Sequence, residues 1–271
     1  AASYMNIPLA HIQGGEVTGN IDEKVRHAIT KLSDYHFVAS ESAKKRVIQL
    51  GENPEMVFNT GCPSIDIAKG VLDNKELTFN PYEKYGGVGS KPDLSNGYIV
   101  VMQHPVTNEY QDSRKQIEIT LRVIQKINLP TLWFWPNVDA GADGTSTGIR
   151  AFREQHMLPN VHFFKNMEGA DFLKLLNNSL CLVGNSSVGV RECAYLGVPT
   201  VNIGSRQNRR ERGENIVDVS YDEQEITNAV KNSLDKAERP KSDVYGGGDA
   251  GKKIAELLRN LPLQFHKTIT Y

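Results

Sequence analysis

Residues 183–197 read VGNSSVGVRECAYLG. With Leu180, Cys181 and Leu182 ahead of it, this stretch predicts a buried parallel strand that breaks into a small polar turn, Gly184-Asn185-Ser186-Ser187. A short helix follows, marked by Val188, Val190, Ala194 and Leu196, ended by Gly197, with Pro199 beyond. A strand that feeds a Ser-rich turn at a helix N-terminus can cradle an anion. Free backbone N–H groups and the positive end of the helix dipole point at one spot, and two hydroxyls add donors. Glu192 lies one turn further in, where a carboxylate can grip a ribose diol. The same residues also make an ordinary N-cap, so the stretch speaks for the fold before it speaks for a ligand.

Outward from this stretch, strands alternate with helices in both directions, the pattern of a parallel sheet. Upstream, strands are predicted at 98–102, 132–135 and 161–164, with helices near 112–126, 148–155 and 170–176. Downstream come strands at 200–203 and 216–219, a helix at 226–234 and a last helix at 252–261. The first part of the chain has strands at 7–12, 35–39 and 56–60 and helices at 21–32, 42–50 and from Pro63 to about Leu72. Between the two runs, Asn80-Pro81, Gly86-Gly87-Val88-Gly89 and Lys91-Pro92 are turn and linker chemistry. The expected division is therefore 1–75 for the end of a first Rossmann-like domain, 76–96 for a linker and 97–271 for a second such domain, with the last helix packing back on the first. A nucleotide-binding domain usually runs ~100–150 residues. Only about three strand–helix units precede the boundary, so the first domain is expected to be incomplete at its N-terminus.

Composition narrows the class. The chain has 271 residues, 31 basic and 32 acidic, for a formal net charge of −1. A general nucleic-acid binder is usually basic, so no nucleic-acid partner is expected. Apolar runs are strand-length, which predicts no membrane-spanning helix, and the first ten residues lack the basic and apolar regions of a signal peptide. Cys62, Cys181 and Cys193 are isolated and odd in number, which speaks against a disulfide framework or a zinc site and for a reducing cytoplasm.

Polar residues gather where strands end. His11, Gln13 and Glu16 follow one strand, Gln103 and His104 another. Asn137 and Asp139, Ser186 and Ser187, and Ser205 and Arg206 follow three more. The C-terminal edge of a parallel sheet is where such folds bind ligands. His104 is restrained by Pro105 and can donate to a phosphate or move a proton. Arg206 can form a bidentate pair with a diphosphate. Arg209, Arg210 and Arg212 read as a solvated loop, and His36, His156, His162 and His266 show no supporting partner. Asp22, Glu16 and Glu23 are the acid–base candidates of the first part, with Arg26 one helical turn from Asp22. No P-loop, zincin or dinucleotide fingerprint occurs.

Taken together, HIQGGEVTGNIDEKVRHAITKLSDYHFVAS, TGCPSIDIAK, MQHPVT, FWPNVDAG, GNSSVGVREC, LGVPTVNIGSRQ and ENIVDV resemble the hydrolysing UDP-N-acetylglucosamine 2-epimerases of sialic and nonulosonic acid biosynthesis. The resemblance implies an α/β, GT-B-like fold of two doubly wound parallel-sheet domains facing across a cleft. It implies elimination of UDP from C1 with loss of the C2 proton, then addition of water to give free N-acetylmannosamine or a derivative. Asp22 and Arg26 would lie beside the sugar, and His104 would contact the departing diphosphate or assist proton transfer. Asn137 would position the nucleotide, Ser186 and Ser187 the diphosphate, Glu192 the ribose and Arg206 the phosphate side. No metal or other cofactor is implied; a UDP-sugar substrate and a homo-oligomer, dimer or tetramer, are. Where some members carry Glu, this chain has Gln13, which cannot act as a base near neutral pH. Glu16, Asp22 or a segment outside this chain would take the proton. A non-hydrolysing 2-epimerase, a UDP-sugar glycosyltransferase and a catalytically silent nucleotide-binding fragment are the competing readings.

Overall fold

The computed structural model describes residues 1–18, 21–234 and 239–270, with only the backbone described for residues 21 and 22. In chain order the elements are β1 (Ala10–Ile12), α1 (Ile21–Leu32), β2 (Tyr35–Val38), α2 (Glu41–Gln49), β3 (Val57–Asn59), α3 (Pro63–Asp73), α4 (Pro81–Tyr85) and β4 (Val88–Gly89). Then come β5 (Ile99–Met102), α5 (Ser113–Ile127), β6 (Thr131–Phe134), α6 (Ala142–Gln155), β7 (Val161–Phe164), α7 (Gly169–Asn178) and β8 (Cys181–Gly184). The chain ends through α8 (Ser187–Val190), α9 (Glu192–Leu196), β9 (Thr200–Ile203), β10 (Ile216–Val219), α10 (Glu223–Leu234) and α11 (Ala250–Asn260). Two compact units result: residues 1–70 with 243–271, and residues 71–242.

The second unit holds a seven-stranded sheet in the order β10-β9-β8-β5-β6-β7-β4. All of its neighbours are parallel except β4, which runs antiparallel to β7. Its central strands are apolar on both faces, as a sheet covered on both sides requires. Val101, Trp133, Phe163, Val183 and Val201 meet helices α5, α6 and α10 through Ile117, Ile149 and Ile226. On the opposite face Phe134 packs edge-on against Phe172 of α7. The segment 76–96, read from the sequence as linker, contributes α4 and β4 to this unit. Tyr82 stacks on Phe164, and Tyr82 Oη donates to the Pro92 carbonyl at 2.8 Å.

The first unit has three parallel strands in the order β1-β2-β3. Val38 of β2 packs with Ala43 and Val47 of α2, while Phe37 points the other way onto Ile254 of α11. The last helix is thus part of this unit. The strand expected at 7–12 is shorter, and residues Ala2–Met5 form a 3-10 turn. The apolar positions Val25, Ile29 and Leu32 of α1 are 43–57% exposed. No described helix is long and apolar enough to cross a membrane.

Candidate active site

Strand order points to a candidate site. From β5 the chain winds outward through β6 and β7, then returns to the other side of β5 at β8 and winds outward again through β9 and β10. The order therefore reverses between β5 and β8, and ligands of open α/β sheets bind beyond the carboxyl ends of the strands at such a point. His104 follows β5, and Asn185, Ser186 and Ser187 follow β8, so the reversal brings them together.

His104 is 5% exposed. Its Nδ1 accepts the Asn137 backbone N–H at 3.1 Å. An imidazole that accepts at Nδ1 carries its proton at Nε2. Burial first, and the Arg206 guanidinium second, pull its pKa down to about 3. His104 is therefore a neutral hydrogen-bond donor at physiological pH. Asn137 reaches the site through its main chain, while its side chain is exposed.

Arg206 lies at the end of β9 with its Nη2 3.5 Å from Asp139 and its Nη1 3.4 Å from the Asn185 carbonyl. Gln207 donates to that same carbonyl at 2.8 Å. Ser186 caps the next helix, its Oγ accepting from Val188 N at 3.4 Å. Ser187 Oγ accepts from Arg191 Nη2 at 3.2 Å. Glu192 is 6% exposed. Its Oε2 lies 3.7 Å from Arg191 Nε and has no hydrogen bond among the described residues.

The single helix expected after Ser187 is two short ones, α8 and α9. The chain breaks at Arg191, with φ −103° and ψ −74°. Four residues of helix align few peptide dipoles, so the macrodipole contribution expected there is small. Donors in this turn are hydroxyls and local N–H groups. The loop after β9 is also less solvated than its charge implied: Arg210 is 8% exposed, and its Nη1 donates to Gln207 Oε1 at 3.2 Å.

Gly184 closes the strand at φ 137°, and a Cβ there would meet the Met102 carbonyl at 2.1 Å. Gly184→Ala is expected to cost about 2 kcal/mol, through backbone strain and overpacking. The midpoint of denaturant unfolding checks this.

In the first unit, Gln13 sits at φ 63° after β1, and its Nε2 donates to Cys62 Sγ at 2.6 Å. His11 Nδ1 and Thr30 Oγ1 are 3.2 Å apart. Burial, aided by His36 and Arg26, lowers the His11 pKa to about 4. Glu16 is 6% exposed. Arg26 folds onto the loop, its Nη1 donating to the Glu16 carbonyl at 3.1 Å and to Thr18 Oγ1 at 3.2 Å. The loop is held from below by Arg46 Nη1, which donates to Gly15 O at 3.0 Å. The side chain of Asp22 lies outside the described residues.

Two of the histidines expected to lack partners have them. His36 Nε2 is 2.9 Å from Glu52, and His162 meets the Ser90 and Gly86 carbonyls at 2.6 and 2.8 Å. The sequence places Asp139 at a strand end and Asn185 in the polar turn, but it announces neither the Asp139–Arg206 contact nor the bonds of Gln207 and Arg206 to the Asn185 carbonyl. The only signal these residues gave was position, each following a strand end. Among the described residues, no group of three His, Cys, Asp or Glu side chains is placed to hold a metal.

Residues 1–259 match the family described as UDP-N-acetylglucosamine 2-epimerase. The chain belongs to that family. Among its relatives, it is 35% identical over 263 residues to the UDP-N,N'-diacetylbacillosamine 2-epimerase (hydrolyzing) of Legionella pneumophila, covering 97% of this chain and 67% of that protein. It is 38% identical over 241 residues to the polysialic acid biosynthesis protein P7 of Escherichia coli, covering 87% and 58%. This epimerase-family chain spans 54–67% of the length of such relatives. Its fold resembles the UDP-GlcNAc 2-epimerase from Neisseria meningitidis solved with UDP-GlcNAc, at a TM-score of 0.73 and 20% identity over 96% of this chain and 72% of that one. The Methanocaldococcus jannaschii UDP-GlcNAc 2-epimerase, solved with UDP-GlcNAc and UDP, gives 0.74 and 18% over 95% and 70%. The fold class is α/β and GT-B-like, with parallel sheets, as the motifs implied.

Proposed function

We propose that this chain carries the UDP-binding and sugar-converting residues of a hydrolysing 2-epimerase. The substrate is UDP-N-acetylglucosamine or a 4-acetamido-4,6-dideoxy derivative. The single observation that carries the reading is the neutral, Nε2-protonated His104 held beside Arg206 at the strand-order reversal. A neutral donor and a guanidinium fixed in advance favour charge that develops on a departing diphosphate. Similarity to two proteins named hydrolysing, at 35% and 34% identity, supports the water-adding outcome over its alternatives.

On this reading a carboxylate removes the C2 proton while the C1–O bond to UDP breaks. His104 Nε2–H, Arg206, Ser186 and Ser187 hold the diphosphate as it leaves, Glu192 grips the ribose, and the Asn137 main chain fixes the imidazole. Water then adds its hydroxyl at C1 and a proton at C2. His104, being neutral, serves by donating rather than as a strong acid. Gln13, whose amide donates to Cys62, has no basic group; Glu16, Asp22 or a segment outside this chain supplies the base. The chain acts as a homo-oligomer in the cytoplasm.

The test is incubation with UDP-N-acetylglucosamine and no acceptor, followed by NMR of the products. The chain is used alone and joined to the N-terminal part of the Legionella relative. Free 2-epimerised sugar plus UDP supports the proposal. UDP-N-acetylmannosamine with the nucleotide attached marks a non-hydrolysing epimerase, and turnover only with an acceptor marks a transferase. Glu192→Ala is expected to weaken UDP binding by about 2 kcal/mol, the loss of a hydrogen bond to a charged group. Calorimetric titration with UDP that gives an unchanged affinity would remove the ribose assignment.

A further inference from the structure

Asn185 uses all of its hydrogen-bonding groups within one small region. Its Oδ1 accepts the His104 backbone N–H at 2.7 Å, and its Nδ2 donates to the His104 carbonyl at 2.9 Å. Its own N–H donates to Met102 O at 3.1 Å. Its carbonyl accepts from Gln207 and Arg206 at 2.8 and 3.4 Å. The side chain is buried, with the residue 1% exposed.

The place is as telling as the bonds. Strands β5 and β8 pair as far as Met102 and Gly184. The pairing ends there, and the His104 main chain bonds to the Asn185 side chain in place of a ladder partner. A buried peptide group without partners is costly. One carboxamide supplies both missing bonds, as a neighbouring strand would. We propose that Asn185 is a positioning residue for His104: its carboxamide extends the β5–β8 ladder by one side chain and so fixes where the imidazole stands and which nitrogen carries the proton. Moving the His104 main chain would carry Nδ1 away from the Asn137 N–H, and the tautomer would no longer be chosen. Asn185 touches no reacting atom; it acts through His104 and, by its carbonyl, through Arg206. The inference rests on the UDP site proposed above, but its geometric half does not need it.

The experiment uses the full chain without ligand, labelled with 15N-histidine, the His104 signals being assigned from a His104→Gln spectrum. The wild type is expected to show a bare Nδ1 and a protonated Nε2. In Asn185→Ala the two nitrogens are expected to average between tautomers, and UDP affinity is expected to fall at least tenfold. Asn185→Asp is the sharper variant. An ionised carboxylate still accepts from His104 N–H but sets an oxygen against the His104 carbonyl, whereas the protonated acid can donate there. The fixed tautomer is expected at low pH and lost as the introduced carboxyl ionises, a pH dependence absent from the wild type and from Asn185→Ala. Wild-type tautomer and UDP affinity in both variants at every pH would overturn the proposal. If only Asn185→Asp folds, its pH profile decides. If neither folds, hydrogen exchange of the wild type decides: a His104 amide as protected as that of Met102 supports the clasp, and exchange at loop rates overturns it. A wild type that binds no UDP would sink the proposed site and leave the tautomer result standing.

Discussion

Glu52→Ala is expected to destabilise the first unit by about 3 kcal/mol at neutral pH. The Glu52 side chain is 2% exposed and meets three partners: Lys31 at 2.7 Å, His36 at 2.9 Å and Lys267 at 2.5 Å. Lys267 also donates to the carbonyls of Thr30, Lys31 and Ser33, so the same ammonium that meets Glu52 ties the C-terminal segment to the end of α1. Breaking a buried pair by removing one partner costs about 3–5 kcal/mol. The lower end applies here, because the Lys31 and Lys267 side chains are 39% and 25% exposed and can turn to water. Chemical denaturation of both proteins measures the difference, and a loss under about 1 kcal/mol would contradict the hub.

The same cluster sets the response to acid. Burial pushes the Glu52 carboxyl up, but hydrogen bonds from Lys267 and Lys31 outweigh it and leave the pKa below its ordinary value. Its stabilisation is complete above the unfolded carboxylate range, about 4.3, and is lost as pH falls through the folded pKa. His11 acts earlier. With its pKa lowered to about 4, the stability it contributes is present above about 6.5, the unfolded value, and is lost as pH falls toward 4. Glu52→Ala should remove the later loss and deepen the earlier one, because burial already lowers the pKa of His36 and the Glu52 carboxylate is what raises it.

His104→Ala is expected to lower kcat for UDP release about 10²–10³-fold, the usual effect of deleting one preorganised donor to a developing anion. His104→Gln keeps an N–H in the pocket and is expected to recover part of that loss. Because the wild-type imidazole stays neutral down to about pH 3, it is expected to add no ionisation to kcat/KM between pH 5 and 9. Steady-state rates across that range check both points. A limb near pH 6.5 that disappears in His104→Ala would show a charged, proton-transferring histidine instead.

The fold was readable where apolar runs were long and local. Strands 161–164, 200–203 and 216–219 and the helix at 21–32 fall where the structure has them, since each is set by its own periodicity. The rim was readable for the same reason: polar residues that interrupt a buried strand mark its end. What was not readable depends on partners far along the chain. Nothing near Asn185 announces that its amide serves His104, and nothing near Glu52 announces Lys267. The burial of Arg210 follows from Gln207 turning inward, a tertiary choice that charge alone contradicts. The break at Arg191 is likewise invisible in a pattern that suits one continuous helix.

UDP is expected to bind where strand order reverses beside β5. A crystal structure of the full chain with UDP decides the point. The diphosphate is expected against Ser187, Arg206 and the Nε2 of His104, with the ribose hydroxyls on Glu192. UDP bound elsewhere, or bound there with Glu192 and His104 out of contact, would contradict it.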